Sequence, residues 1–496
     1  MRWWWVLLVA ALTAWAAWLR VPGLDPRSLW HDDQWVGIVV SRMTLSEYRA
    51  LGPPVPAGFA ASLAVLARLF PDPEWPLQVV PVACSLVQIP LIGWIVLRLT
   101  GHPALGLLAA ALLLVDPLLS EYSVRAKQYS MEGLLTLGLV LLATWVVESP
   151  DRRRKSTLAL ASAAAMTSSF SALFVGGALV GAFLLHDVGR WRRTRVLPSG
   201  TRAAPAAFAL GAALVYAIFL HGAVRPSLVD FWTSHYVPVG DPGALARLLE
   251  ERGAAFFTGS FPRALAPAAL LVPLGLGVAL WRPATRWLGV TNLFLWTQLV
   301  AASALHRYPL GGGRTDLFAH GLTIILVCFA VSLLLSLPRM RRPLSVAVTA
   351  AALAVAASMA EPSRYPEQQD AQLVRRAHEL LRPQDGLLVY PFSGLAVGYY
   401  WPGEIRLRRD DRGCGFNAEV VHPGALTLHS RPRRFGPTDF TDQLRTFLAS
   451  PRARIVYLGA DVDADERAIV PFVVGTGYEV AEVVRAPGAV LTVLRR

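Results

Sequence analysis

Long apolar runs separated by short polar segments dominate the first 360 residues of the chain. A helix needs roughly 20 apolar residues to cross a bilayer, and fewer when it packs inside a bundle. By this criterion the predicted spans are 3–20, 76–98, 103–120, 130–148, 156–169, 171–186, 203–222, 264–281, 286–304, 316–337 and 343–360. The stretch 156–186 is too long for one span and barely sufficient for two, which predicts a tight hairpin near Ser168 to Phe170.

Residues 55–70 are apolar but short and bounded by prolines, which favours a helix lying at the membrane interface. When this helix is not counted as a span, the basic clusters between the spans all fall on one side. Positive residues are typical of cytoplasmic loops. The N-terminus is therefore predicted to be cytoplasmic. The predicted external segments are 21–75, 121–129, about 223–263, 305–315 and everything after about 361.

The composition changes near residues 361–370, which are polar and contain proline. Beyond them, helical spacing and short apolar runs alternate, which indicates a small α/β domain. The predicted helices are 371–381 and 463–470, and the predicted strands are 386–390, 455–458 and two within 478–494. The predicted organisation is a membrane domain over 1–360, whose first external loop 21–75 includes the helix 55–70, and an extracytoplasmic α/β domain over 361–496.

Composition supports a membrane protein, since 54% of the residues are hydrophobic and only 16% are charged. A soluble chain of this length would carry more charge. The formal charge of +13 could suggest nucleic acid. The basic residues form short clusters without interleaved aromatic residues, however, so nucleic-acid binding is not expected. Two of the three cysteines, Cys84 and Cys328, lie in apolar segments, so no disulfide framework is expected within the chain.

Two adjacent carboxylates, Asp32 and Asp33, lie among tryptophans where the chain leaves the first predicted span. A charged pair at this boundary is costly unless it has a function. One carboxylate is suited to act as the general base for an incoming hydroxyl or amine. Alternatively, the pair could hold a divalent metal, Mg²⁺ or Mn²⁺, through oxygen ligands. The structural alternative is that Asp33 caps a helix beginning near Trp35.

Basic and tyrosine side chains on the same predicted side could bind a phosphate. Arg125, Lys127 and Tyr129 follow the third predicted span, and arginine is the better bidentate partner for phosphate. The alternative, equally weighted for Lys127, is that these cations reach lipid headgroups from a helix end. Arg314 follows three glycines that allow close backbone approach, and an arginine that opens a span is costly without an anion. The alternative there is a plain tight turn.

Three segments together resemble the GT-C glycosyltransferases. Leu-Trp-His-Asp-Asp-Gln-Trp-Val at residues 29–36 resembles their first-loop acidic motif. Residues 121–129 resemble the Glu-x-x-x-Arg-x-x-x-Tyr segment, and residues 307–314 the late Tyr-Pro and arginine loop, of the bacterial protein O-mannosyltransferase, aminoarabinose transferase and RgtA/B/C/D-like group (glycosyltransferase family 39-like). The resemblance covers about residues 1–340. Asp33 stands where that group usually has Glu, and Gln34-Trp35 supplies no arginine after the pair, so the sugar and the acceptor can differ.

The resemblance implies an α-helical polytopic membrane protein of about 11 transmembrane helices with the GT-C fold and an external active site. It implies inverting transfer of a hexosyl or pentosyl group from a polyprenyl-phosphate donor to a glycan, lipid or protein acceptor in a bacterial inner membrane. Asp32 matches the catalytic base and Asp33 the second acidic position. The expected donor-phosphate residues are Arg125, Lys127, Tyr129, Tyr308 and Arg314.

Two other function classes remain open from the sequence. A transporter or flippase of a lipid-linked saccharide would hold phosphate with the same external cations. The predicted spans are nearly uncharged at mid-depth, which disfavours a translocation path. A non-catalytic scaffold displaying the α/β domain would make the acidic pair dispensable. The four histidines near the external segments, His31, His235, His306 and His320, lack ligand spacing and are predicted either to be structural or to support the site residues without contacting the substrate.

Overall fold

The structure is a computed structural model of the 496-residue chain. It describes residues 3–24, 28–53, 55–70, 74–196, 198–220, 226–311, 313–365, 368–410, 415–428, 440–450, 452–459 and 467–496. Cys414, Gly312 and the first part of the helix predicted at 463–470 lie outside these ranges.

Up to residue 359, the regular elements of the described ranges are helices. The α-helices are α1 (Trp3–Arg20), α2 (His31–Ser41), α3 (Leu45–Leu51), α4 (Ala57–Leu69), α5 (Pro76–Thr100), α6 (Pro103–Leu114), α7 (Pro117–Ser123), α8 (Tyr129–Glu148), α9 (Arg152–Ala165), α10 (Ala172–Thr194), α11 (Ala203–Val215), α12 (Pro226–Phe231), α13 (Pro242–Gly259), α14 (Leu271–Trp281), α15 (Arg286–Ala304), α16 (His320–Leu335) and α17 (Arg341–Met359). Short 3₁₀ segments, Arg263–Leu270 and Arg314–Ala319, lead directly into α14 and α16.

Within the described ranges, 7 helices are long and apolar enough to cross a membrane, and the bent pair α6–α7 would make up to 8. The chain is therefore a multi-pass membrane protein. The predicted spans 156–169 and 203–222 correspond to α9, which has 14 residues, and to the short apolar helix Ala203–Phe219. The predicted span 286–304 matches α15, whose polar residues include buried Thr291 and Asn292. The total of about 11 spans stays a prediction.

The predicted span 103–120 differs from the structure, because it consists of two helices that meet at an angle of 60°. Pro117 cannot continue the hydrogen-bond ladder of α6, and the Asp116 side chain instead accepts the Leu119 N–H at 2.9 Å and caps α7. This bend ends the helical path at Ser123 and places residues 124–128 beside the start of α2.

Two further local predictions concern the turn at 166–171 and the helix at 55–70. The hairpin near Ser168 to Phe170 is confirmed, since α9 ends at Ala165 and α10 begins at Ala172. The predicted helix 55–70 is also confirmed, as α4, which buries Phe59 and Leu63. The Gly58 N–H donates to the Thr167 carbonyl at 2.6 Å, so α4 packs directly on the hairpin. Its placement at the membrane interface stays a prediction.

The region after α17 contains a mixed sheet with helices against it. Its elements are α18 (Asp370–Leu380), β1 (Gly386–Val389), α19 (Ser393–Tyr400), β2 (Ile405–Asp410), β3 (Gly415–Val420), β4 (Ala425–Thr427), α20 (Thr441–Leu448), β5 (Arg454–Gly459), α21 (Ile469–Val474), β6 (Glu479–Ala486) and β7 (Ala489–Arg495). The strand order is β4-β1-β5-β7-β6, with β1 parallel to β4 and β5. The predicted strands at 386–390, 455–458 and 478–494 are confirmed.

Helix α2 packs against this C-terminal region and not only against the spans. A Cβ at Gly37 would lie 2.6 Å from the Tyr399 ring, and one at Gly398 would lie 2.8 Å from Ile38. Trp35 and Phe59 share one hydrophobic core with residues of the sheet and of α19. The first loop and the region after residue 361 are thus one packed unit, although the helices and the sheet are separate along the chain.

Candidate active site

The two predicted carboxylates lie in the first turn of α2. The helix begins at His31 after the extended residue Trp30, and no side chain caps its N-terminus. The interpretation of Asp33 as the cap of a helix beginning near Trp35 is therefore wrong, because the helix begins four residues earlier. Carboxylates in a first turn are stabilised by the helix dipole. Adjacent positions on a helix point in different directions, so Asp32 and Asp33 meet different partners.

Asp33 is fully buried and forms an ion pair with Arg125, which is 2% exposed. The Arg125 Nε donates to Asp33 Oδ2 at 2.8 Å. The Tyr365 hydroxyl donates to the same oxygen and accepts the Trp30 N–H at 2.9 Å. The Arg125 guanidinium also lies 4.3 Å from the centre of the Trp30 ring. These contacts fix the start of α2 against the loop after α7.

Burial and the Asp33 charge determine the protonation states around this pair. Burial lowers the pKa of Arg125, but the neighbouring Asp33 carboxylate raises it by more, so the net pKa lies above its usual value. Burial, together with Asp33, raises the pKa of the Tyr365 hydroxyl well above its usual value. Asp33 Oδ1 and Arg125 Nη2 are buried without a hydrogen-bond partner among the described residues. Such unpaired buried atoms are uncommon in native proteins.

Asp32 is partly open, with 19% of its side chain exposed. Its Oδ2 accepts from Arg314 Nη1 at 2.7 Å and lies 4.0 Å from Lys127 Nζ. Burial raises the pKa of the Asp32 carboxyl, but Lys127 and Arg314 outweigh burial, and the net pKa is well below its usual range. Burial lowers the pKa of Lys127, while Asp32 partly restores it. Three ionisable groups from α2, the 124–128 segment and the 305–314 loop therefore meet at one place.

The loop of Arg314 is shaped by glycines and by Tyr308. Gly311 and Gly313 have φ of 67° and 65°, and a Cβ at Gly311 would lie 2.5 Å from the Arg252 side chain. The Tyr308 hydroxyl donates to the Thr315 carbonyl at 2.6 Å. Tyr308 thus closes the loop from inside, and its predicted contact with a phosphate stays a prediction. Burial raises the pKa of Tyr308 well above its usual value.

Tyr129 begins α8 at the edge of the same cluster. Its ring packs edge-on against Tyr122, with ring centres 5.0 Å apart. Tyr122 and Tyr129 both interact electrostatically with Arg314, and the Arg314 guanidinium lies 5.6 Å from the Trp232 ring centre. All five predicted charged residues therefore converge, and the two predicted tyrosines border them.

A second layer of polar contacts was not predicted from the sequence. Gln34 donates to Asp370 Oδ2 at 2.9 Å, and Gln368 donates to the same carboxylate and accepts the His31 N–H at 3.0 Å. The Tyr400 hydroxyl accepts the Leu29 N–H at 2.6 Å. The sequence did indicate that residues 361–370 lie near the site. They directly follow the last predicted span, so they are predicted to lie on the same side of the membrane as Asp32.

Buried polar groups continue from the site into the ends of the spans. His320 Nδ1 lies 2.6 Å from Asp116 Oδ2, and both side chains are almost fully buried. The structural role predicted for His320 fits this contact. Glu132, in the first turn of α8, is also buried.

Asp32 and Asp33 are the two carboxylates predicted as alternative ligands of a divalent cation. Mg²⁺ is usually held by one or two carboxylates together with waters and substrate phosphates. No group of three or more His, Cys, Asp or Glu side chains converges in the described ranges. Each of the two carboxylates is instead bound to an arginine. A divalent metal at this pair stays a prediction.

Comparison with known proteins places this geometry in a family context. Residues 52–219 match the family model described as dolichyl-phosphate-mannose-protein mannosyltransferase. This stretch includes Arg125, Lys127 and Tyr129, and it ends before Arg314. No curated protein sequence matches the chain.

Solved structures extend the likeness to the whole chain. The crystal structure of ArnT from Cupriavidus metallidurans in the apo state is 14% identical, with a TM-score of 0.59 over 99% of this chain and 97% of that chain. The chain has the fold of the GT-C glycosyltransferases. ArnT bound to undecaprenyl phosphate is similar as well, with a TM-score of 0.60, 14% identity, and coverage of 99% of this chain and 98% of that chain.

A more distant GT-C structure is that of an archaeal oligosaccharyltransferase. AglB from Archaeoglobus fulgidus, in complex with an inhibitory peptide and a dolichol-phosphate, is 11% identical with a TM-score of 0.53. The match covers 92% of this chain and 69% of that chain. The resemblance indicated by the three sequence segments is therefore confirmed for the GT-C fold.

Proposed function

We propose that this protein transfers a sugar from a polyprenyl-phosphate-linked donor to an acceptor outside the cytoplasm, in a bacterial inner membrane. The N-terminus then lies in the cytoplasm and the region after residue 361 outside it. The acceptor is a cell-envelope glycan, a lipid or a protein. The GT-C fold and the undecaprenyl phosphate bound to ArnT support a lipid-phosphate donor.

One observation is the main support for this proposal: Asp32 is partly exposed and meets Arg314 and Lys127. Sugar transfer with a phosphate as the leaving group requires a general base and positive charge in one place. An arginine and a lysine can together hold the phosphodiester of a polyprenyl-phosphate donor. The proposed transfer therefore needs no nucleotide. The buried Asp33–Arg125 pair holds α2, and therefore Asp32, in position.

In the proposed reaction the acceptor hydroxyl oxygen attacks the anomeric carbon from the face opposite the phosphate. Asp32 takes the hydroxyl proton as the new carbon–oxygen bond forms. The bond between the anomeric carbon and the phosphate oxygen breaks, and its electron pair leaves with the polyprenyl phosphate. Arg314 and Lys127 stabilise the negative charge that develops on this leaving group.

The cations that hold Asp32 also weaken it as a base, since they lower the pKa of its carboxyl. A donor phosphate placed against Arg314 and Lys127 shares their positive charge and adds a negative charge nearby. Both effects raise the pKa of Asp32. The base therefore becomes stronger when the donor is bound, which favours proton transfer only in the loaded site.

The alternative of a lipid-linked saccharide transporter has less support. The charged residues of the described spans lie near their ends, for example Arg20 and Glu132 at the site end and Arg98 at the other end. A non-catalytic scaffold gives no reason for a partly exposed carboxylate beside two cations. Removal of Asp32 distinguishes both alternatives from transfer.

The test uses purified full-length protein, a labelled polyprenyl-phosphate sugar, and a cell-envelope fraction as the source of acceptor. We expect transfer by the wild type and none by Asp32→Asn, while size-exclusion profile and thermal unfolding stay unchanged. Glu379→Gln is the matched control, since it neutralises an exposed carboxylate on α18. Full activity of Asp32→Asn would exclude the mechanism.

A further inference from the structure

A groove lies between α1, the loop joining α5 to α6, and α17, with a volume of about 1030 Å³. Ligand sites in proteins usually measure about 300–1,000 Å³. Its lining includes Trp4, Trp5, His102, Arg341, Arg342 and Leu353. One end is therefore basic and the rest is mostly apolar.

The groove lies at the opposite end of the helices from the candidate active site. Trp4 and Trp5 are at the start of α1, which ends at Arg20, shortly before Asp32. Arg341 begins α17, which ends at Met359, shortly before Tyr365. An 18-residue helix is about 27 Å long, close to the thickness of a hydrocarbon core. The groove therefore opens at the other membrane face, which is predicted to be cytoplasmic.

The α17 wall of the groove is one continuous helix face. Arg341, Ser345 and Thr349 follow at intervals of four residues, and Arg342, Val346 and Ala350 form a parallel row. The Ser345 and Thr349 hydroxyls donate to carbonyls within the helix, at 2.7 Å and 2.8 Å, so they add little polarity. The face changes from two guanidinium groups to a hydrocarbon surface within three turns.

The basic end carries uncompensated positive charge. His102 lies close enough to Arg341 and Arg282 that, after burial, these two cations lower the pKa of its ring. Glu148, an acidic residue at this end of α8, is already paired with Arg98. Neither Arg341 nor Arg342 forms an ion pair within the described ranges. Clustered basic side chains beside spans at the cytoplasmic face attract anionic lipid headgroups.

We propose that this groove binds an anionic phospholipid of the bilayer, with its phosphate at Arg341 and Arg342 and an acyl chain along Val346 and Leu353. Val346 is 70% exposed and Leu353 is 37% exposed, so a chain can lie against both. The tryptophans at the start of α1 suit the headgroup level of a bilayer. A free phosphate ion would use only the basic end, whereas a phospholipid uses the whole groove.

Native mass spectrometry of the full-length protein in detergent tests the proposal, with dioleoyl phosphatidylglycerol and dioleoyl phosphatidylcholine as probes. We expect one retained phosphatidylglycerol with an affinity at least tenfold above that of phosphatidylcholine, which is about 1.4 kcal/mol. The double variant Arg341→Ala/Arg342→Ala should lose this preference. Equal retention of the two lipids by the wild type would overturn the proposal.

A charge-matched control separates the groove from general surface attraction. Arg152→Ala/Arg153→Ala removes two exposed charges from the start of α9, outside the groove, and should retain the preference. Ala350→Trp keeps all charges but fills the apolar wall, and should reduce binding at least tenfold. An equal loss in both double variants, or full binding by a folded Ala350→Trp, would exclude the groove as the site.

A third arm distinguishes a two-chain phospholipid from the single-chain donor lipid. Undecaprenyl phosphate, added to the Arg314→Ala variant to weaken the candidate active site, should not displace phosphatidylglycerol. Displacement that depends on Arg341 and Arg342 would assign the groove to polyprenyl phosphate and overturn the proposal. The outcome is independent of sugar transfer, because every measurement is of lipid retention.

Discussion

Arg314 Nη1 donates to Asp32 Oδ2 at 2.7 Å, although the two residues are 282 positions apart in the chain. The contact joins the loop before α16 to the first turn of α2. It also uses only one of the five N–H donors of the guanidinium for the carboxylate. Arg314 can therefore hold a phosphate while it still contacts Asp32.

The first prediction concerns this arginine. Arg314→Ala should weaken binding of a short-chain polyprenyl phosphate in detergent at least tenfold, a loss of about 1.4 kcal/mol. Arg307→Ala, in the same loop and exposed, is the matched control and should bind as the wild type does. No binding to the wild type would remove the premise of a lipid-phosphate donor. Equal binding by Arg314→Ala would move the phosphate elsewhere.

The Asp33–Arg125 pair should determine stability more than chemistry. Arg125→Met leaves a fully buried carboxylate without its cation, which typically costs about 3–5 kcal/mol. The double variant Asp33→Asn/Arg125→Met removes the charge as well and should recover much of that loss. Thermal unfolding of the purified variants in one detergent measures both. A double variant less stable than Arg125→Met would contradict this account.

Tyr365 is predicted to act by positioning α2. Tyr365→Phe leaves the Trp30 N–H and Asp33 Oδ2 each without one partner, which should lower stability by about 1–3 kcal/mol. Because Asp32 shifts with α2, kcat should fall while KM for the donor stays close to the wild-type value. Tyr478→Phe removes a comparable hydroxyl, bonded to the Arg452 carbonyl at 2.8 Å, and should leave kcat unchanged. Equal kinetics for both variants would exclude the positioning role.

Asp370 should make stability depend on pH. Burial raises the pKa of its carboxyl to about 6, despite hydrogen bonds from Gln34 and Gln368. A raised pKa means that the folded state binds the proton more tightly than the unfolded state. The stability that protonated Asp370 contributes is therefore fully present below about pH 4 and is lost as the pH rises through about 6.

The variant Asp370→Asn has no ionisable group there and should not lose stability over that range. Its unfolding midpoint relative to the wild type should therefore increase from pH 4 to pH 7 and stay constant above. Asp442→Asn, an exposed carboxylate on α20, provides the comparison and should track the wild type at every pH. A constant difference between Asp370→Asn and the wild type would refute the assignment.

Much of the helical architecture could be predicted because apolar length is a direct physical requirement of the bilayer. The strands of the C-terminal sheet were also predictable, since β1 and residues 455–458 of β5 are short, fully buried apolar runs. The break within 103–120 was not predicted, although Asp116 and Pro117 are a cap followed by a first-turn proline. A hydropathy run does not show where a backbone must turn while it stays apolar.

The charged residues of the site were predictable because an ionised side chain beside a membrane is costly without a role. Their pairing was not predictable. Nothing in the sequence indicates that Arg125 pairs with Asp33 and Arg314 with Asp32, since the choice depends on how α2 turns its first two carboxylates. Tyr365 was missed because an uncharged side chain in a polar segment has no comparable cost.

The packing of α2 on the C-terminal region has a consequence for biosynthesis. Gly37 contacts Tyr399, and Asp33 accepts from Tyr365, so the segment after α1 reaches its final arrangement only against residues made more than 300 positions later. A growing chain inserts its first spans long before those residues leave the ribosome. Chain completion therefore acts as the last step of assembly, and prematurely ended chains would remain in the membrane without an organised pair of carboxylates.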